Sequence, residues 1–89
     1  MRVALICKDK PGQLQTRVDN RSAHLAYVEA SGVVEMAGPF LNEGAMTGSL
    51  VVLNVDTLDQ AQAWAAADPY AMAGLFDSVM ISEWKKVIG

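Results

Sequence analysis

The segment Leu50-Val51-Val52-Leu53-Asn54-Val55, followed almost at once by Thr57-Leu58-Asp59-Gln60, decides the fold. Nearly every position of the first piece is apolar. It reads as a strand with one face against helices and the other needing a separate cover. The second piece is a capping box, with Thr57 as N-cap and Gln60 three residues on. It opens a helix through Trp64 to Ala67. Asn42-Glu43-Gly44 is a turn. It joins a strand over Val33 to Phe40 to one over Gly48 to Val55, and the two form a hairpin.

Reading outward from this hairpin completes the order. Leu14, Val18, Arg21, Leu25 and Val28 recur at helical spacing within a helix from about Leu14 to Ala30, closed by Ser31-Gly32. Residues 2–8 alternate as a strand, with Val3, Leu5 and Cys7 on one face and Ala4 and Ile6 on the other. Both faces are apolar, which predicts a central strand. Downstream, Asp68-Pro69 starts a short turn of helix, with Asp68 as N-cap and proline at the first helical position. Gly74 ends that turn, and Phe76 to Val87 reads as the last strand. The order β-α-β-β-α-β is that of an α+β, ferredoxin-like sandwich. Two helices cover one face of a four-stranded antiparallel sheet, and the other face asks for a second sheet.

Composition points the same way. The chain has 89 residues, 52% of them hydrophobic and 19% charged, and reads as a single domain over 1–89. A domain of this size buries only about 60–65% of its unfolded surface. A homodimer with sheets packed face to face hides the remaining apolar area. The single cysteine allows no disulfide within the chain and suits a reducing, cytoplasmic setting. The apolar run at the N-terminus stops at Lys8 and Asp9, too short for a signal peptide, and no run is long enough to span a bilayer. Net charge is −3 and Lys85-Lys86 is the one basic pair, which argues against a nucleic-acid partner.

The chemistry concentrates in Arg17-Val18-Asp19-Asn20-Arg21-Ser22-Ala23-His24-Leu25 and in Asp68-Pro69-Tyr70. His24 is the sole histidine, hence the sole side chain poised for proton transfer near neutrality. It reads either as a boundary residue bonded to a backbone carbonyl or as a general acid or base oriented by a carboxylate. Asp68 is the candidate carboxylate, and it can cap a helix with one oxygen while accepting from imidazole with the other. Arg21 falls within the apolar stripe, so it is expected buried and in need of a counter-charge. That counter-charge is Asp68, Asp77, Glu83 or an anionic substrate. Arg17, one turn earlier, is expected to be a solvated surface residue or to line the same opening. Gly38-Pro39 and Gly48-Ser49 sit at the hairpin ends. Ser49 suits hydrogen bonding to a ligand, without the elbow of a serine nucleophile. Cys7 reads as a small buried hydrophobe, its rival being a thiolate facing the histidine. Tyr70 and Trp64 read as core or dimer-contact aromatics. No phosphate loop, dinucleotide fingerprint or metal-ligand cluster is present, so no cofactor and no metal are expected.

Taken together, Arg17-x-x-x-Arg21-x-x-His24-Leu25, Ala37-Gly38-Pro39, Met46-Thr47-Gly48-Ser49, Ala67-Asp68-Pro69-Tyr70 and Ala73-Gly74-Leu75-Phe76 with the Ile81 to Lys86 strand resemble the YCII (YciI-like) family. These pieces occur in the family's order and cover nearly the whole chain. The resemblance implies a dimeric α+β barrel of paired ferredoxin-like units. It also implies a site around His24 and Asp68, with Arg21, Arg17, Gly38, Pro39, Ser49 and Tyr70 as substrate-binding candidates. The connection from Gly38-Pro39 to Gly48-Ser49 is shorter here than in some relatives. The expected activity is proton transfer by a His24–Asp68 pair on a small, anionic organic molecule, of lyase or hydrolase type. The alternatives are a non-catalytic dimer that binds a small molecule in the same pocket, and a purely structural dimer or fusion partner.

Overall fold

The computed structural model describes residues 1–89. The elements run β1 (Arg2–Asp9), α1 (Leu14–Ser31), β2 (Val34–Asn42), β3 (Ala45–Asn54), α2 (Leu58–Ala67), α3 (Pro69–Met72) and β4 (Phe76–Trp84). The four strands form one antiparallel sheet in the order β2-β3-β1-β4. This is the ferredoxin-like α+β arrangement, with β1 and β3 central as their two apolar faces require.

Local chemistry accounts for the element ends. The β2–β3 hairpin is longer than the sequence pattern implies, and it turns on Glu43 and Gly44 alone. Their φ values of 51° and 80° are the two positive angles that a tight right-twisted hairpin demands. Pro39 is tolerated within β2 because β2 is an edge strand. Strand β4 stops at Trp84 rather than Val87. Trp84 pairs with Arg2, the first residue of β1, and is the last residue of β4 in the ladder. The Thr57 hydroxyl accepts from the Gln60 amide at 3.2 Å, and the Gln60 side chain reaches back to the amide of Asp56.

The core lies between the sheet and α1 and α2. Val3, Leu5, Cys7, Val51, Leu53, Val55, Ala61 and Trp64 form it, and burial of each large side chain contributes roughly 1.5–3 kcal/mol. Burial pushes the Cys7 thiol up to about 12, with the nearby Asp68 charge adding to the shift. Cys7 is therefore a protonated core residue and not a thiolate facing His24. Gly48 is the glycine that packing requires. A Cβ there would collide with the Cys7 carbonyl oxygen, whereas one on Gly38 would meet open space.

One expectation about α1 is overturned. The helix does not turn Leu14, Val18 and Leu25 inward; each is about half exposed. Its buried residues are Arg17 and His24, seven positions and two turns apart. Tyr27 and Val28 continue that face against the core. Two paired polar residues, each with a partner on another element, outweigh the apolar stripe. The opposite sheet face carries Ile6, Leu50 and Val52 at its centre, with Met36, Phe40, Met80 and Trp84 substantially exposed around them.

Candidate active site

Asp68 does what a helix N-cap should. Its Oδ1 accepts the Tyr70 amide at 3.0 Å, and Pro69 occupies the first helical position, where its missing N–H costs nothing. The same oxygen lies 2.8 Å from Nδ1 of His24, 44 residues away in sequence. Asp68 is 2% exposed and His24 7%. A carboxylate only accepts, so Nδ1 carries the proton of the pair. In the neutral ring Nε2 then holds the free lone pair, and no protein group bonds to it. The imidazole is clamped from the side as well. Its ring stacks on Tyr70 with centroids 4.0 Å apart and planes 13° from parallel.

A second buried polar cluster adjoins this one. Arg17, 3% exposed, grips Asp9 with both prongs, Nε to Oδ2 at 2.7 Å and Nη2 to Oδ1 at 2.8 Å. Nη2 also donates to the Ser49 hydroxyl at 2.9 Å. The guanidinium carbon lies 4.7 Å from the centre of the Tyr70 ring, a cation–π contact. Burial works against the Arg17 charge, and the hydrogen bonds and charge of Asp9 more than restore it. Burial likewise raises the Tyr70 phenol, with Arg17 pulling partly the other way, so Tyr70 stays protonated at neutral pH.

Beside the pair opens a cavity of about 180 Å³ between α1 and the β2–β3 hairpin. His24, Tyr70, Ser49 and Arg21 supply its polar lining, Gly38 and Pro39 form part of one wall, and Leu25, Ala37, Met46 and Val51 are apolar. Of the catalytic and substrate-binding candidates read from the sequence, His24, Arg21, Gly38, Pro39, Ser49 and Tyr70 line this cavity; Arg17 and Asp68 do not, and Asp68 stands behind His24. The roles expected of the two arginines are exchanged. Arg21 is solvent-exposed at the rim, paired with none of Asp68, Asp77 and Glu83, and Arg17 is the buried one. The reason is Asp9. It follows Val3, Leu5 and Cys7 in the inward alternation of β1, so its carboxylate meets α1 and demands a cation at position 17. That alternation was the available signal for Asp9, which sequence reasoning passed over.

Fold and site define a ferredoxin-like α+β protein with a buried histidine–aspartate pair beside a small half-apolar cavity. The chain belongs to the YCII family: its residues 1–85 match the YCII-related domain. It is 37% identical over 97 residues to Protein YciI of Escherichia coli O6:H1, covering 98% of this chain and 99% of that one. An uncharacterized protein of Haemophilus influenzae is 33% identical over the same span, with the same coverage. Among solved structures, the chain is similar to 5-chloro-2-hydroxyhydroquinone dehydrochlorinase from Burkholderia phenoliruptrix, in complex with 2,5-dihydroxybenzoquinone. The TM-score is 0.90 and the identity 36%, over 96% of this chain and 94% of that one. An antibiotic biosynthesis monooxygenase shares the fold, with a TM-score of 0.61 at 6% identity.

Proposed function

We propose that this protein is a small enzyme in which His24 and Asp68 move a proton on a small, anionic organic molecule. The observation that carries the reading is the 2.8 Å Nδ1–Asp68 bond, which leaves Nε2 of His24 unpartnered beside the cavity. Asp68 fixes the tautomer and stabilises the imidazolium once it forms. Nε2 takes the proton. Arg21, free of protein partners at the rim, attracts the anion. Pro39 and the backbone of Gly38 shape the wall against which the molecule lies. Arg17, sequestered by Asp9, supports the site from beneath and does not touch the substrate. The relative of B. phenoliruptrix is named as a dehydrochlorinase and holds a one-ring molecule, which favours lyase-type proton transfer here.

The working unit in this reading is a homodimer in the cytoplasm. Its support is the apolar sheet face around Ile6, Leu50 and Met80, together with a lone buried cysteine in no disulfide. No helix is long and apolar enough to cross a membrane.

Chloride release from 5-chloro-2-hydroxyhydroquinone, with 2,5-dihydroxybenzoquinone as the binding probe, tests the reading. His24→Gln should keep the fold and lower turnover about a hundredfold or more, the usual contribution of a positioned general base. Equal turnover by parent and variant would remove His24 from the chemistry. Binding of the probe by a parent that turns nothing over would make the pocket a non-catalytic small-molecule site.

A further inference from the structure

The largest cavity in the molecule lies away from His24. It measures about 510 Å³, where the last turn of α1, the end of β3 and the first turns of α2 meet, against about 180 Å³ for the cavity beside His24. The two share no lining residue. Sites for small molecules usually span roughly 300–1,000 Å³.

Trp64 lines this larger cavity and is 6% exposed. Its indole Nε1 is buried, and no group of the protein accepts its hydrogen. Every other fully buried side-chain nitrogen or oxygen has a partner. An indole N–H only donates, and a buried donor without an acceptor weakens a fold. A phenylalanine would keep the contact with the Tyr27 ring, whose centre is 5.0 Å away, and would leave no donor unanswered. What this wall lacks is an acceptor.

The remaining polar groups set the charge of what fits. Asp56 is the one charged residue in the lining, and it enters no ion pair. Tyr27 gives its hydroxyl hydrogen to the Trp64 carbonyl at 2.8 Å, and Ser31 gives its own to the Val28 carbonyl at 2.9 Å. Both oxygens keep lone pairs and have no hydrogen left to offer. The side-chain amides of Asn54 and Gln60 are uncharged. Ser31 is also the last residue of α1, at the negative end of the helix dipole, and no basic side chain of that turn answers it. The positive start of α2 is already met by the Thr57 cap and by Asp59. Cations are therefore favoured over anions here, and the Trp64 and Tyr27 rings favour them further.

We infer that this cavity is a second binding site, for a small organic cation. An ammonium group pairs with Asp56, an apolar body lies against Trp64, Val33 and Val55, and an oxygen of the ligand accepts the indole hydrogen of Trp64. The site is independent of the acid–base reading of His24, and no bond is made or broken in it.

The probe is 4-methoxyphenethylamine, which offers an ammonium group, one ring and an ether oxygen that only accepts. Its control is 3-(4-methoxyphenyl)propionate, of similar shape and opposite charge. NMR of the indole N–H groups reads the site directly, and Trp84→Phe identifies which of the two tryptophans gives each signal. Millimolar amine should move the Trp64 N–H signal downfield to saturation and leave the His24 ring signals in place. The propionate should bind more weakly. Asp56→Asn should weaken amine binding up to about fivefold, the worth of an exposed ion pair. Trp64→Phe, followed by calorimetry, should weaken it about two- to tenfold, the worth of one neutral hydrogen bond. An unmoved Trp64 signal in the parent protein, which needs no variant to fold, would overturn the site. So would amine that moves only the His24 signals. Propionate bound as tightly as amine, or Asp56→Asn binding amine as the parent does, would overturn the cationic assignment.

Discussion

Replacing Arg17 by methionine keeps most of the apolar stem and removes a charge that two hydrogen bonds of 2.7 and 2.8 Å hold against Asp9. The Asp9 carboxylate, 7% exposed as a side chain, would then be left buried and alone. Two unit charges about 4 Å apart attract by about 4 kcal/mol at an effective dielectric near 20. Removing one partner of a buried pair typically costs about 3–5 kcal/mol. The lost bond to Ser49 and the lost contact with the Tyr70 ring act in the same direction. A chain of 89 residues has about 4–13 kcal/mol of stability in all. Arg17→Met should therefore consume a large part of it. Urea unfolding and thermal melts at one fixed protein concentration would read this out. A Tm lower by at least about 12 °C is expected, at about 4 °C or more per kcal/mol. The double variant Asp9→Leu with Arg17→Met should recover most of the loss, since no buried charge remains. A loss below about 1 kcal/mol, the value of an exposed pair, would refute the argument. So would a double variant no more stable than Arg17→Met alone.

Gly48→Ala should destabilise strongly, because the added methyl meets the Cys7 carbonyl oxygen on the rigid backbone of β1, while Gly38→Ala should be nearly neutral in urea midpoint. Cys7 should resist alkylation at pH 8 in the folded protein. Its thiol is raised on folding, so the unfolded chain loses the proton first. Stability then falls from about pH 9 toward pH 12, by up to about 1.4 kcal/mol per pH unit. Cys7→Ala should flatten that alkaline slope in urea titrations. Ile6→Glu, at the centre of the apolar sheet face, should convert a sedimenting dimer to monomer. Parent protein that already sediments as a monomer at micromolar concentration would remove the paired-sheet arrangement.

Much of this protein is written locally in its chain. The alternation of Val3, Leu5 and Cys7, the apolar run at Leu50 to Val55, the Thr57 cap and the Asp68-Pro69 start are short-range signals, and each element they predict is present. The order of those elements then limits the fold to a four-stranded sheet with helices on one side. Asp68 was legible as a cap for the same reason: its partner, the Tyr70 amide, is two residues away. Three features waited for the tertiary structure, and they share a cause. The contact of His24 with Asp68, made to the same Oδ1 that caps the helix, spans 44 residues. The gripping of Arg17 by Asp9, and with it the exposure of Arg21, depends on where β1 ends beneath α1. The steric need for Gly48 depends on the carbonyl of a neighbouring strand. Helical periodicity counts apolar side chains and so points the Leu14–Val18–Leu25 stripe inward. The rotation of α1 is decided instead by two buried polar partners that only the folded chain brings within hydrogen-bonding distance, because leaving either carboxylate unpaired costs more than leaving three aliphatic side chains half in water.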